Sequence, residues 1–129
     1  MEKKRVMIID DEKSAVDLLK HRLESEGYQV LALFNAKGII TELHRFAPDI
    51  IILDLLMPEF GGLDACEMLN KDSVGSGTPI IVVSGLNKEA DKKKAYALGI
   101  VQYFVKPVDM EVLLAAIRKY IRNKSEDGK

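Results

Sequence analysis

Five residues in this chain could do chemistry together, and each stands at the end of an apolar run. Val6-Met7-Ile8-Ile9 stops at Asp10-Asp11, Ile50-Ile51-Ile52-Leu53 at Asp54, Ile80-Ile81-Val82-Val83 at Ser84, and Val101 to Val105 at Lys106. Singly, each has an ordinary reading: an aspartate after a strand is often a turn former or a helix cap, and a lone serine or lysine a surface group. Five of them, at the ends of four runs, call for a common explanation. Three carboxylates against one ammonium leave a net charge of −2, which a divalent cation would neutralise. Mg²⁺ suits such a set, because it takes oxygen ligands and commonly one or two carboxylates plus phosphate oxygens. No histidine or cysteine shares these run ends, which argues against zinc. Phosphoryl transfer requires positioning and charge neutralisation more than covalent machinery. Asp54 can be the nucleophile, while Ser84 and Lys106 can each bind a phosphoryl oxygen.

The elements that must position these groups are legible as periodicities. Strands are expected at Val6–Ile9, Tyr28–Leu33, Ile50–Leu53, Ile80–Val83 and Val101–Val105. Between them the spacing predicts helices. The first runs from Ser14, with Val16, Leu19 and Leu23 on one stripe and Gly27 as its stop. The second carries Ala36, Ile39, Ile40, Leu43 and Phe46 and closes at Ala47-Pro48. A short third passes through Leu63, Cys66 and Leu69. The fourth, Asn87 to Leu98, is polar with a thin stripe of Ala90, Ala97 and Leu98. The last is capped at Asp109 and striped by Met110, Leu113, Leu114, Ile117 and Ile121. Gly75-Ser76-Gly77-Thr78-Pro79 reads as a flexible connection. Strands apolar on both faces that alternate with helices imply an α/β fold with a parallel sheet covered on both sides. In such sheets ligands bind outside the carboxyl ends of the strands, where all five residues stand.

Composition narrows the function classes. At 129 residues the chain reads as a single domain, 1–129, with a core of about 4–122 and a polar 123–129 that is a frayed tail or the start of a linker. A net charge of −1 and a pI near 6.1 give no electrostatic case for nucleic acid or an anionic membrane. The single cysteine, Cys66, permits no internal disulfide and fits a reducing cytosol. The first apolar run is too short for a signal-peptide core or a membrane span. Lys92-Lys93-Lys94 shares its helix with Glu89 and Asp91 and reads as a solvated face. His21 and His44 read as surface groups with no partner apparent in sequence, Cys66 as a packed small residue, and Tyr120 as a cover for the last helix's edge.

These residues resemble the receiver domains of two-component response regulators. The matching pieces are Ile8-Ile9-Asp10-Asp11-Glu12, Asp49 through Pro58 with Gly62 closing the loop, Ile80 through Gly85, and Tyr103-Phe104-Val105-Lys106-Pro107. The resemblance runs from about Lys4 to Arg122, and its motifs are specific as a set in this order and spacing. It implies a flavodoxin-like (βα)5 fold with strand order 2-1-3-4-5. It implies Asp54 as phosphoacceptor, assisted by Lys106 and Ser84. It implies Mg²⁺ held directly by Asp11, Asp54 and the Leu56 backbone carbonyl, with Asp10 acting through water. Ser84 and Tyr103 would be a coupled switch pair, and the Lys106–Pro107 bond cis. Phosphoryl would come from a sensor histidine kinase or phosphotransfer protein, and the output would go to a downstream protein target. The domain would act in the cytoplasm without binding nucleic acid or membrane, as a switch rather than an enzyme in the ordinary sense. A phosphorylation-dependent homodimer stays open.

Three positions depart from common receiver patterns. Gly85 replaces an alanine after the switch hydroxyl. Gly99-Ile100-Val101 lacks the acidic residues that one transcription-factor subfamily uses to dimerise, which argues against that dimer. Leu56 offers no polar side chain to steer water toward an acyl phosphate. The alternative within the same fold is a phosphorylation-independent pseudo-receiver that serves as a binding module. A dehalogenase-type phosphatase would need an aspartate where Leu56 stands, and a flavodoxin would need a phosphate loop where Asp10-Asp11-Glu12 would repel it.

Overall fold

The computed structural model describes residues 2–57 and 61–122. Pro58 of the Asp54 motif and the polar tail at 123–129 lie outside them. Among the described residues, strands and helices alternate: β1 (Arg5–Ile9), α1 (Lys13–Ser25), β2 (Gln29–Leu33), α2 (Ile39–Phe46), β3 (Ile50–Leu53), α3 (Gly62–Lys71), β4 (Ile80–Ser84), α4 (Glu89–Ala97), β5 (Gln102–Val105) and α5 (Met110–Tyr120). The strands form one parallel sheet in the order β2-β1-β3-β4-β5. That is the flavodoxin-like α/β order implied by the resemblance.

Strand alternation sorts the core into two layers. Met7, Ile9, Ile51, Leu53, Ile80 and Val82 face α2, α3 and α4. Val6, Ile8, Ile50, Ile52, Ile81 and Val83 face α1 and α5. Because side chains alternate with period two, the same parity carries on past the strand ends. Asp10 and Asp54 continue the rows of Ile8 and Ile52 on the α1/α5 side, while Ser84 continues the row of Val82 toward α4.

α1 buries Val16, Leu19 and Leu23, the stripe read from the sequence. α5 buries Leu113, Leu114 and Ile117; Ile121 follows the helix and is half-buried. The Asp109 carboxylate caps α5, accepting from Glu111 N at 2.8 Å and Val112 N at 3.3 Å. Asp109→Ala is expected to lower unfolding stability by about 0.5–2 kcal/mol in urea titrations.

Three expectations about local structure change. α2 starts at Ile39 rather than Ala36: Gly38 adopts φ +74°, and Ala36 is buried in the turn before it. The Gly75–Pro79 stretch is not a loose connection, because Gly75–Gly77 form a 3-10 turn. Asp72 braces that turn by accepting from Val74 N and Gly75 N, and Thr78 Oγ1 donates to the Val74 carbonyl. A Cβ on Gly75 would lie 2.2 Å from the Leu69 oxygen, so packing, not flexibility, requires that glycine. The stripe of α4 is thinner than the sequence suggested. Ala90 and Ala97 are exposed, Leu98 is half-buried, and among the described residues of α4 Ala95 alone is buried.

Candidate functional site

The strand ends bring the acidic residues and the lysine together. Asp10 N donates to the Leu33 carbonyl at 3.0 Å and Asp54 N to the Ile9 carbonyl at 2.9 Å, which extends the ladder one residue past β1 and β3. Asp54 is 5 % exposed and Asp10 9 %. Each braces the loop that follows: Asp10 Oδ1 accepts from Glu12 N at 3.0 Å, and Asp54 Oδ1 from Leu56 N at 2.9 Å. The other oxygens share one cation. Lys106 Nζ lies 2.9 Å from Asp10 Oδ2 and 3.1 Å from Asp54 Oδ2, with Glu12 Oε1 at 3.7 Å. Asp11 is exposed at the rim. One carboxylate oxygen from each of Asp10, Asp11 and Asp54 lies within 4.8 Å of the others.

The charges are balanced by unequal forces. Burial pushes the Asp10 carboxyl above the usual aspartate range, and the neighbouring Asp54 charge adds to this; the Glu12 N–H and Lys106 pull the other way. Burial works against the Lys106 ammonium, but its hydrogen bonds to Asp10 and Asp54 outweigh that and hold it above the ordinary lysine range. An all-oxygen donor set with excess negative charge suits a hard divalent cation such as Mg²⁺. Asp10, Asp11 and Asp54 could hold it, and the Leu56 carbonyl lies on the loop that Asp54 Oδ1 braces.

Ser84 and Tyr103 meet on the α4 side. Ser84 is fully buried, and its Oγ accepts from Leu86 N at 3.3 Å. The Tyr103 ring is turned in, 8 % exposed, and its hydroxyl donates to the Leu86 carbonyl at 2.7 Å. Burial raises the Tyr103 phenol's pKa and the Asp91 and Asp54 charges add to this, while the nearby Ser84 hydroxyl pulls the other way. Leu86 is therefore the link between the two, serving one through its N–H and the other through its C=O. The sequence hid this role, because the linking groups are backbone. The Lys106–Pro107 peptide is cis.

Gly85 is exposed, and a Cβ there would meet Leu56 Cδ1 at 3.4 Å, an ordinary contact. Nothing in the fold requires glycine, so Gly85→Ala is expected to raise unfolding stability by about 0.4–1 kcal/mol in chemical denaturation, through the unfolded chain's entropy. Beside the site, an apolar cleft of about 430 Å³ runs from Asp10, Asp54 and Lys106 between α1 and the start of α5 to Leu19 and Leu113.

The remaining residues singled out from the sequence stand apart from the site. His44 has a partner after all, the Asp72 carboxylate at 2.9 Å. Lys92 pairs with Glu89 on the exposed face of α4. Cys66 is fully buried, and burial pushes its thiol up to about 12. The Tyr120 hydroxyl reaches Gln102 Oε1 at 3.4 Å. No helix among the described residues is long and apolar enough to cross a membrane.

Comparison with known proteins agrees with this arrangement. The family model for the response regulator receiver domain matches residues 6–118. A probable transcriptional regulator, ycf27, from Guillardia theta is 35% identical over 124 residues, covering 96% of this chain and 48% of the relative. Protein PilH of Pseudomonas aeruginosa is 34% identical over 113 residues, covering 88% of this chain and 93% of PilH. The crystal structure of a CheY-like receiver domain protein from Methanospirillum hungatei superposes with a TM-score of 0.86 at 26% identity, covering 92% of this chain and 93% of the other. The chain spans about half the length of the first curated relatives it matches. With a family model spanning most of its length and a strand order that gathers the matching residues at one sheet edge, this chain belongs to the response regulator receiver domains of two-component systems.

Proposed function

We propose that this domain accepts a phosphoryl group on Asp54 from the phosphohistidine of a sensor histidine kinase or phosphotransfer protein. The observation that carries the reading is the setting of the Asp54 carboxylate: nearly buried, at a strand end, bonded to Lys106 at 3.1 Å and to Leu56 N at 2.9 Å, with two further carboxylates alongside. An Asp54 oxygen forms the new bond to phosphorus as the bond to the imidazole nitrogen breaks, and the imidazole leaves with the electron pair. Lys106 stabilises the charge on the transferring oxygens. Mg²⁺, held by Asp10, Asp11 and Asp54, supplies neutralising charge when bound. On this reading the domain catalyses its own phosphorylation and dephosphorylation, works in the cytoplasm, and controls a protein target.

The switch follows from the Leu86 link. A phosphoryl on Asp54 draws the Ser84 hydroxyl toward it and so favours the inward Tyr103, bonded to the Leu86 carbonyl, over an outward one. Moving a two-state balance from 1:99 to 99:1 requires about 5.5 kcal/mol of differential stabilisation. A few charge-assisted hydrogen bonds, at about 1.5–3 kcal/mol each, supply it.

The test is intact-mass spectrometry after incubation with Mg²⁺ and acetyl phosphate, with Asp54→Ala as control. A gain of one phosphoryl group in wild type only is the expected result. A gain in both proteins would refute the Asp54 assignment. No gain, together with no binding of Mg²⁺ or beryllofluoride, would favour the phosphorylation-independent binding module.

A further inference from the structure

Tyr103 is bonded at both ends of α4. Its hydroxyl donates to the Leu86 carbonyl, three residues before the helix starts. Its backbone N–H donates to the hydroxyl of Tyr96, in the last turn of α4, at 3.0 Å. The second bond depends on the topology. β5 lies at the edge of the sheet. Lys106 N donates to the Ser84 carbonyl at 2.8 Å, and backbone direction alternates along a strand, so Phe104 faces β4 and the Tyr103 N–H faces the open side. Tyr96 fills that open position from above. Besides this bond, among the described residues this end of the helix is held by Ala95, its one buried residue, by half-buried Leu98 and by buried Ile100 just beyond it.

We propose that Tyr96 is a positioning residue for the switch, pinning the C-terminal end of α4 to β5. When Tyr103 swings outward it releases Leu86 and keeps the backbone bond to Tyr96. The helix then re-packs about its C-terminal end, and the displaced part is the β4–α4 connection and the first turn of α4. This rests on the phosphoacceptor reading only for what drives the swing; the pin itself is a property of the domain at rest.

Amide hydrogen exchange on the whole domain, followed by NMR, tests it. In Tyr96→Phe, which removes only the acceptor, the Tyr103 amide is expected to exchange about three- to tenfold faster, the worth of one neutral hydrogen bond. The Phe104 amide, bonded to β4, should not change. Tyr103→Phe should leave the Tyr103 amide protected, since it breaks only the bond to Leu86. The apparent affinity for beryllofluoride with Mg²⁺ should weaken about threefold or more in Tyr96→Phe, because the acceptor for the inward Tyr103 is no longer held in place. An unchanged Tyr103 amide, or equal acceleration of amides across the sheet, would overturn the pin. A faster Tyr103 amide with unchanged beryllofluoride affinity would overturn its link to the switch. Failure of the wild type to take beryllofluoride at all would count against the Asp54 reading instead, and the Tyr103 amide would still decide the pin.

Discussion

Lys106→Met will slow phosphoryl acceptance from acetyl phosphate by about two to three orders of magnitude, the usual effect of removing one preorganised charge-stabilising donor. Methionine keeps most of the lysine stem and removes the ammonium, so the loss reports the cation rather than packing. The same substitution should destabilise the fold without divalent cation by about 1–3 kcal/mol, since it leaves Asp10 and Asp54, 9 % and 5 % exposed, without their shared partner. Asp10→Asn should act in the opposite direction. Asp10 titrates above the usual aspartate range in the folded protein, so its ionised form costs stability at neutral pH, and that cost is relieved as pH falls through its folded pKa. The asparagine removes the cost at neutral pH. Mg²⁺ should stabilise wild type by mass action and should stabilise Asp10→Asn less. Urea titrations with Mg²⁺ or with a chelator separate these outcomes. If Lys106→Met were as stable as wild type in chelator, the shared-cation account of the site would be wrong.

Gly62→Ala is expected to be the most damaging single-methyl change in the loop behind Asp54. A Cβ there would lie 2.1 Å from Leu55 Cα and 2.7 Å from the Leu55 oxygen, and both belong to backbone that cannot rotate away. Gly62 opens α3, and its N–H donates to that same Leu55 oxygen at 3.1 Å. Relieving the clash means moving the first turn of α3 off the chain that leaves Asp54. The expected loss is about 3 kcal/mol or more in urea, with slower phosphoryl acceptance because the Asp54 loop moves with it. Gly77→Ala is the control: nothing lies within 4 Å of a Cβ at that position. A Gly62→Ala protein within about 0.5 kcal/mol of wild type, the range of an ordinary surface change, would show that the loop yields more easily than this packing allows.

What the sequence alone determined was whatever repeats with a short period. The runs ending at Asp10, Asp54, Ser84 and Lys106 named the strands, and their alternation with helical stripes implied a doubly covered parallel sheet. Which side of the sheet each row faces came only with the fold, since strands apolar on both faces do not mark one, although parity then carries each row past its strand end. Asp109 announced the last helix because a cap acts on N–H groups two and three residues away. Tertiary structure alone decided contacts between residues remote in sequence. Asp10 and Asp54 share one Lys106 ammonium, and His44 reaches Asp72, because the fold brings those ends together. Ala95 rather than Ala90 or Ala97 faces the sheet, since α4 has too few large apolar groups to define its own rotation and the surrounding packing sets it. The Leu86 link and the Tyr96–Tyr103 bond were invisible for a further reason: each uses backbone N–H or C=O groups, which every residue carries and no sequence pattern marks.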